Sequence, residues 1–216
     1  MASWEGSAKW NGGWYFVVSG AMFLLGSAFL TMAGPPPTSG SELLQWAHQH
    51  AFALAMLQET LMFGAGALVP ACMVLYWRLA PHAPMRASFG SGLMLVAVPI
   101  ILILMIVQGR LVYPVYGIPI QQPGLAALIV SIYFGGMHAV NILFAAATIA
   151  LCLALTSAGA PRWFVGIGWL TALYDVVGSF PWLLSMPAVI AGDLLFSVWF
   201  VLLGWFILQT GAAQDC

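Results

Sequence analysis

Long apolar segments recur along the chain, each close to or above the roughly 20 residues that a helix needs to cross the hydrocarbon core of a bilayer. Stretches rich in proline and glycine, such as GPPPTSG at 34–40, separate them, because lipid excludes irregular backbone. The segments lie at about 14–33, 51–77, 88–108, 125–155, 163–186 and 188–209. The pattern predicts an all-α polytopic membrane protein, in which a single bundle of about six transmembrane helices forms one domain over residues 1–216.

Charged residues are scarce in this chain. Only 5% of its 216 residues are charged and 62% are hydrophobic, and the mean hydropathy is +1.00. A soluble domain has about a quarter of its residues charged. The sequence has neither a basic patch for nucleic acid nor a glycine-rich phosphate loop. The bilayer is therefore the partner that the composition predicts, nucleic-acid binding is not expected, and protein partners are left open.

The basic residues are distributed unevenly between the predicted loops. With six crossings both termini lie on one side, which collects Lys9, Arg78, Arg86 and Arg162 and leaves Arg110 on the other. Lysine and arginine are in excess in the cytoplasmic loops of membrane proteins. We therefore expect both termini in the cytoplasm and the loop that contains Arg110 outside.

Polar residues fall at membrane depth inside the predicted helices. A rise of about 1.5 Å per residue from each segment centre places Asp175 and His138 near the midplane, with Asn141 just to its inner side. The same count puts Glu59 about 8 Å and Asp193 about 10 Å toward the outer face. Ionisable groups in a membrane usually face the bundle interior and mark function. We expect these residues inside the bundle, either as a site or as hydrogen-bonded contacts that fix helix packing.

Two of the acids have a hydroxyl one helical turn further on. Asp175 and Ser179 are four residues apart, and so are Asp193 and Ser197. Residues at this spacing lie on the same face of a helix. The spacing predicts that each hydroxyl donates a hydrogen bond to its acid.

Two short patches carry a resemblance to a known family. A glutamate lies in the second predicted helix, Glu59 in LQETLMFG, and an aspartate opens the last one, Asp193 in AGDLLFSVWF. This arrangement is similar to the integral-membrane terpene cyclases of meroterpenoid pathways. The resemblance implies that Glu59 and Asp193 form the acid pair of a cyclase.

A second resemblance concerns the histidines of AHQH. His48 and His50 follow a loop rich in glycine and proline and open the second predicted helix, which resembles the histidine-bearing second helix of haem-copper oxidase subunit I. It implies that His48 or His50 binds haem b. On one helix the two side chains would differ by about 200° and face opposite sides, so they form no joint metal clamp unless the helix begins after them.

The buried acids favour acid–base chemistry. A carboxyl group in apolar surroundings can stay protonated at neutral pH and serve as a general acid, and a histidine can take the matching proton. We predict Glu59 and Asp193 as proton donors, with His138 and Asp175 handling proton removal. The predicted substrate-binding residues are Asn141 and the aromatic residues Tyr133, Trp169 and Trp199, whose rings can stabilise a carbocation.

The leading functional hypothesis is an intramembrane cyclase or isomerase that acts on an isoprenoid or another apolar, lipid-like substrate without a cofactor. A haem-binding or metal-binding redox protein is one alternative. A small transporter or proton-coupled carrier is another, and a non-catalytic subunit of a membrane complex is the third.

Overall fold

The computed structural model describes residues 3–212, with the side chains of residues 12–180, 182–185 and 187–209. These residues form α-helices, and two of the connections between them contain a single 3-10 turn, Val115–Gly117 and Pro181–Leu183. The helices are α1 (Ser3–Ala33), α2 (Gly40–Gln49), α3 (Ala51–Leu79), α4 (Pro84–Gly109), α5 (Pro123–Ser157), α6 (Arg162–Gly178) and α7 (Met186–Ala212). Residues 3–212 contain no strand, so the predicted all-helical fold is confirmed.

Within this part of the chain, 5 helices are long and apolar enough to cross a membrane. Their apolar stretches are Gly12–Ala33, Ala51–Leu79, Pro84–Gly109, Pro123–Ser157 and Pro187–Gln209. These helices are consistent with an integral membrane protein. The remaining predicted segment, at 163–186, is helical over a shorter range than expected.

The helix α6 ends earlier than the sequence pattern predicts. It has 17 residues, stops at Gly178 and is followed by the 3-10 turn that begins at Pro181. Pro181 explains the early end, because proline lacks an N–H and disfavours helical backbone at the residue before it. Asp175 therefore lies in the last turn of α6, and a depth counted from the centre of 163–186 is wrong for it.

The short helix α2 is missing from the predicted pattern. Ser39 caps its start, since the Ser39 hydroxyl accepts a 3.3 Å hydrogen bond from the Glu42 N–H. The buried Trp46 indole donates a 2.8 Å hydrogen bond to the carbonyl of Ala33 and so ties α2 to the end of α1. The helix α2 ends at Gln49 and α3 begins at Ala51, after both histidines of AHQH.

The helices other than α2 close into a ring in which each packs against the next. The order around the ring is α1, α3, α4, α5, α6, α7 and back to α1. We call the half that carries the connections 80–83 and 158–161 the packed half. The half that carries α2 and the connections 110–122 and 179–185 is the cavity half.

Glycines let the helices approach closely in the packed half. A Cβ on Gly204 of α7 would lie 2.5 Å from the carbonyl oxygen of Gly13 on α1. A Cβ on Gly168 of α6 would lie 2.6 Å from the buried ring of Trp199. Small residues at helix contacts allow such backbone approach in membranes, so the packed half is held together by direct helix-to-helix packing.

Candidate functional site

A cavity of about 100 Å³ lies inside the cavity half. Every helix of the ring contributes to its wall, so the cavity belongs to the whole ring and not to a crevice between two helices. It is lined by Phe23, Ser27, Leu61, Ile101, Met137, Asn141, Phe144, Tyr174, Asp175, Gly178, Val189, Gly192, Asp193, Phe196 and Ser197.

Two carboxyl groups share this cavity, Asp175 from α6 and Asp193 from α7. They are close enough to interact electrostatically. Asp175 is only 9% exposed, and its Oδ2 atom has no hydrogen-bond partner among the described residues. A buried polar atom without a partner is uncommon and calls for a ligand, a water molecule or a proton. Two carboxylates in one largely apolar cavity also need a proton or a cation between them, because like charges repel at short range.

Hydroxyl and amide groups surround the acid pair. The Ser27 hydroxyl of α1 lines the cavity and donates a 3.1 Å hydrogen bond to the carbonyl of Phe23. Asn141 lines the cavity from α5, and its Nδ2 donates a 3.4 Å hydrogen bond to the carbonyl of Gly178. The buried Ser197 Oγ also faces the cavity without a partner in the described part of the chain. The predicted hydrogen bond from Ser197 to Asp193 is therefore absent, although both residues line the same cavity.

The hydroxyl of Ser179, one turn after Asp175, is used elsewhere. Ser179 Oγ donates a 2.7 Å hydrogen bond to the carbonyl of Val176. The predicted donation to Asp175 is therefore wrong. The reason is local, because Ser179 is the C-terminal cap of α6, where the carbonyls of the last turn lack helical partners.

Four aromatic rings complete the wall of the cavity, those of Phe23, Phe144, Tyr174 and Phe196. Phe196 packs against Phe23 and Phe144 with ring centroids 5.6 Å and 5.0 Å apart. The Tyr174 hydroxyl donates to the carbonyl of Ala188 and so joins α6 to α7. Aromatic rings beside a cavity can stabilise a positive charge in it.

The aromatic residues predicted to bind substrate lie outside this wall. Tyr133 is buried, with its ring centroid 5.1 Å from that of Phe134. Trp199 is fully buried, with its ring centroid 5.0 Å from that of Phe164. Trp169, in contrast, is 44% exposed on the surface of the bundle. Asn141 is the predicted substrate-binding residue that the structure places in the cavity wall.

His138 lies beside the cavity and not in its wall. Its Nδ1 atom is 2.7 Å from the carbonyl oxygen of Ser179. Because a carbonyl only accepts, Nδ1 carries the proton of this hydrogen bond and Nε2 is an acceptor in the neutral ring. The ring packs against Phe180 and Trp182, with centroids 4.8 Å and 6.0 Å away. His138 therefore holds the connection between α6 and α7 in place.

Glu59 is separate from the acid pair. It lies half-buried on α3, where its Oε1 accepts a 3.2 Å hydrogen bond from the Tyr113 hydroxyl. Tyr113 belongs to the connection after α4. The structure therefore brings Asp193 together with Asp175, and it places Glu59 outside the residues that line the cavity.

The two histidines of AHQH have different surroundings. His48 is exposed on α2 and lines a second cavity, whereas His50 is half-buried with its ring centroid 6.4 Å from that of Trp46. Within the described residues, no group of three or more His, Cys, Asp or Glu side chains is placed to hold a metal ion. Haem ligation by His48 or His50 stays a prediction.

The sequence did contain a signal for several wall residues that were not predicted. Asp193, Phe196 and Ser197 follow the i, i+3, i+4 spacing of one helix face. Phe23 and Ser27 are likewise four residues apart on α1. Phe196 could have been predicted from the sequence, because it lies on the same helix face as Asp193. Phe23 and Ser27 could not, because choosing them required knowing that α1 packs against α7.

Comparison with known proteins identifies no matching family model, no similar characterised protein and no similar solved structure. The resemblances to terpene cyclases and to haem-copper oxidase subunit I therefore stay predictions.

Proposed function

We propose that this chain is an intramembrane acid–base enzyme of the isomerase or cyclase type, acting without a cofactor on an apolar, isoprenoid-like substrate. The observation that carries the proposal is the cavity shared by Asp175 and Asp193, in which Asp175 Oδ2 has no partner among the described residues. A carboxyl group that stays neutral in an apolar site can donate its proton. The proposed acid pair is Asp175 with Asp193, and it replaces the pair of Glu59 with Asp193 that the cyclase resemblance implies.

The reaction requires one proton to enter the substrate and one to leave it. The Asp175 carboxyl donates its O–H proton to one carbon of a double bond, which forms a C–H bond and leaves a carbocation on the neighbouring carbon. The Asp193 carboxylate then removes a proton from an adjacent carbon, and the electrons of that C–H bond form the new double bond. Return of this proton from Asp193 to Asp175 restores the starting state.

Other residues of the cavity have supporting roles in this scheme. The rings of Phe23, Phe144 and Phe196 stabilise the carbocation. The Ser27 hydroxyl, which donates to the carbonyl of Phe23 in the structure, would turn to donate to the carboxylate form of Asp193. His138 is a positioning residue, because it holds the α6–α7 connection through Ser179 and does not line the cavity.

The size of the cavity limits what reaches the acids. Its volume of about 100 Å³ equals that of about three water molecules. A lipid-sized substrate would therefore insert only its reactive end, and the remaining chain would lie between helices or in the bilayer. This requirement favours an isoprenoid-like chain whose reactive double bond is near one end.

Deuterium exchange tests the proposal with whatever substrate the membrane itself supplies. Membranes that contain the protein are incubated in D₂O, and their lipid extract is analysed by mass spectrometry for carbon-bound deuterium. The wild type should label at least one lipid species. Asp175→Asn and Asp193→Asn should slow labelling by about 100-fold or more, because the amides cannot carry the proton and general acid–base catalysis contributes about 10²–10⁴-fold.

Two further variants make the exchange experiment specific. Glu42→Gln is the control, because Glu42 is an exposed acid on α2, and it should label like the wild type. Glu59→Gln separates the two acid pairs, since it should preserve labelling if Asp175 is the donor and abolish it if Glu59 is. Equal labelling by the wild type and both aspartate variants would overturn the proposal.

We also propose that α6 is a sixth crossing and that both termini are cytoplasmic. Its 17 residues span about 25 Å, slightly less than the roughly 30 Å of hydrocarbon. Reporter fusions after residues 36, 82, 117 and 159 should alternate outside, inside, outside and inside. A fusion after residue 184 should report outside, and the same side as residue 159 would contradict the crossing.

A proton-coupled carrier is the second candidate function. The observation that favours it is the small volume of the cavity together with its contribution from every helix of the ring. Such a central site, holding two acids, suits a proton or a small cation that passes between the two sides. Proteoliposomes with an internal pH-sensitive dye test it, because carrier activity would give proton flux that Asp175→Asn abolishes, while the enzyme would give none.

A further inference from the structure

A second cavity, of about 190 Å³, lies at the end of the cavity half between α2 and the connection after α4. Its polar side chains are those of His48 and Arg110. The remaining wall is apolar and consists of Ala51, Leu111, Val112, Pro114, Pro119 and Ile120. We call it the basic cavity, because no acidic residue lines it among those that the structure describes.

Arg110 is held in place by the chain that follows it. One terminal nitrogen of its guanidinium donates to the carbonyl of Tyr113 at 3.0 Å, and the other donates to the carbonyl of Ile118 at 2.9 Å. A guanidinium has five N–H groups, so about three remain for a ligand. The two carbonyls are neutral, so the positive charge of Arg110 is not neutralised by them.

The chain around the basic cavity exposes apolar groups. Tyr116 is 98% exposed at the tip of the connection, and Ile118 is 64% exposed. The connection joins the ends of two helices that are apolar enough to span a membrane, so its exposed side chains lie at the boundary of the bilayer. A ligand of this cavity would therefore have access from the lipid head-group region.

We infer that the basic cavity binds the phosphate head group of an anionic amphiphile, with the phosphate oxygens on Arg110 and His48 and its apolar part along the prolines and aliphatic side chains. Arginine presents a planar fork of donors that matches phosphate, and charge-assisted hydrogen bonds of this kind are strong. The apolar wall matches the glycerol and chain carbons that follow a lipid phosphate. The site is independent of the acid pair, because it shares no lining residue with the inner cavity.

Lipid binding to the full chain in nanodiscs tests this inference. Phosphatidylglycerol is titrated into nanodiscs of phosphatidylcholine, and binding is followed by native mass spectrometry and by thermal unfolding. Arg110→Gln should weaken phosphatidylglycerol binding by about tenfold or more, the effect of losing a hydrogen bond to a charged group. The matched control is Arg86→Gln, since Arg86 also donates to a carbonyl and a hydroxyl, those of Leu153 and Ser157, but lies in the packed half.

Inorganic phosphate added to phosphatidylcholine nanodiscs distinguishes a site for soluble phosphate from a site for a lipid head group. Stabilisation by phosphate alone, lost in Arg110→Gln, would support a site for soluble phosphate, and stabilisation by the lipid alone would support a head-group site. His48→Gln covers the case in which Arg110→Gln fails to fold, because no hydrogen bond from His48 to the connection is found among the described residues, and it should weaken binding about threefold or more. Equal binding by Arg110→Gln and Arg86→Gln, or unchanged binding by His48→Gln, would overturn the inference.

Discussion

The helix α7 contacts its neighbours differently in the two halves of the bundle. In the packed half, Gly13 and Gly204 let the backbones of α1 and α7 meet. In the cavity half, Gly192 of α7 instead makes room for the ring of Tyr174, a residue of α6 that lines the cavity. Direct backbone approach leaves little space between two helices, whereas rings and polar side chains line the cavity in the other half. The same helices therefore supply stability at one end and a site at the other.

The polar groups of the cavity half lower the stability of the fold. Asp175 and Ser197 have buried oxygen atoms without partners among the described residues, an arrangement that lowers stability by about 1–3 kcal/mol for each such group. The packed half has such atoms as well, Ser91 Oγ and Thr148 Oγ1, but its close helix contacts can offset the loss in both halves. We therefore expect substitutions in the packed half to affect folding first and substitutions in the cavity half to affect function first.

The largest expected effect on stability comes from Gly204→Ala. The added Cβ would lie 2.5 Å from the carbonyl oxygen of Gly13, which is backbone and cannot move aside without shifting α1 or α7. Overpacking of this kind typically lowers the free energy of unfolding by about 1–3 kcal/mol. Unfolding in detergent, followed by tryptophan fluorescence, measures the change.

Gly66→Ala is the matched control for this prediction. Gly66 is an exposed glycine inside α3 where an added Cβ would meet no atom within 4 Å, so only the gain in helix propensity remains. That gain, up to about 1 kcal/mol, is common to both substitutions. If Gly204→Ala and Gly66→Ala changed stability equally, close packing of α1 and α7 would not be what holds this half together.

A smaller effect, of opposite sign, is expected from Asp175→Asn. The substitution keeps the shape of the side chain and removes the possibility of a buried charge, whose Oδ2 has no partner among the described residues. The free energy of unfolding should stay unchanged or rise by about 1 kcal/mol, because no interaction of Oδ2 is lost. The same unfolding measurement checks it, and a loss of more than about 2 kcal/mol would mean that Asp175 holds the helices together.

The fold was largely accessible from the sequence, because hydrocarbon imposes a simple rule on segment length. The apolar runs predicted α3, α4, α5 and α7 close to their observed bounds, whereas α1 begins at Ser3, well before the predicted start at about residue 14. The exception is α6, which ends at Gly178 and not at residue 186 as predicted. The prediction relied on hydropathy alone and passed over Pro181, although proline is the residue most able to end a helix. The helix α2 was missed because it is short and amphipathic, yet Ser39 followed by Glu42 is a recognisable start signal.

The candidate site was accessible only in part, because it depends on which helices become neighbours. The presence of a polar residue within an apolar segment selected Asp175, Asp193 and Asn141, and all three line one cavity. The same criterion also selected Glu59, which instead pairs with Tyr113. Nothing in the chain near Glu59 distinguishes it from Asp193, since the difference arises from the helices that surround each acid.

The smallest expected effect concerns the contact between Tyr113 and Glu59, at the exposed edge of the cavity half. Burial raises the pKa of the Tyr113 phenol above its ordinary value, and the hydrogen bond and the charge of Glu59 raise it further. The neutral phenol is thus favoured in the folded chain. Its contribution to stability is complete below the ordinary pKa of about 10 and is lost as the pH rises through the raised value.

Glu59→Gln should lower the pKa of Tyr113 toward the ordinary value without reaching it, because burial, the largest cause, remains. An ultraviolet difference titration of the wild type against Tyr113→Phe isolates this phenol, and repeating it in the Glu59→Gln background gives the shift. Asp193→Asn is the control, since Asp193 lines the inner cavity and should leave the Tyr113 titration unchanged. A Tyr113 titration that moved with Asp193→Asn and not with Glu59→Gln would place Tyr113 with the acid pair. With Tyr113 38% exposed, solvent screens this contact, and it should change stability less than either substitution above.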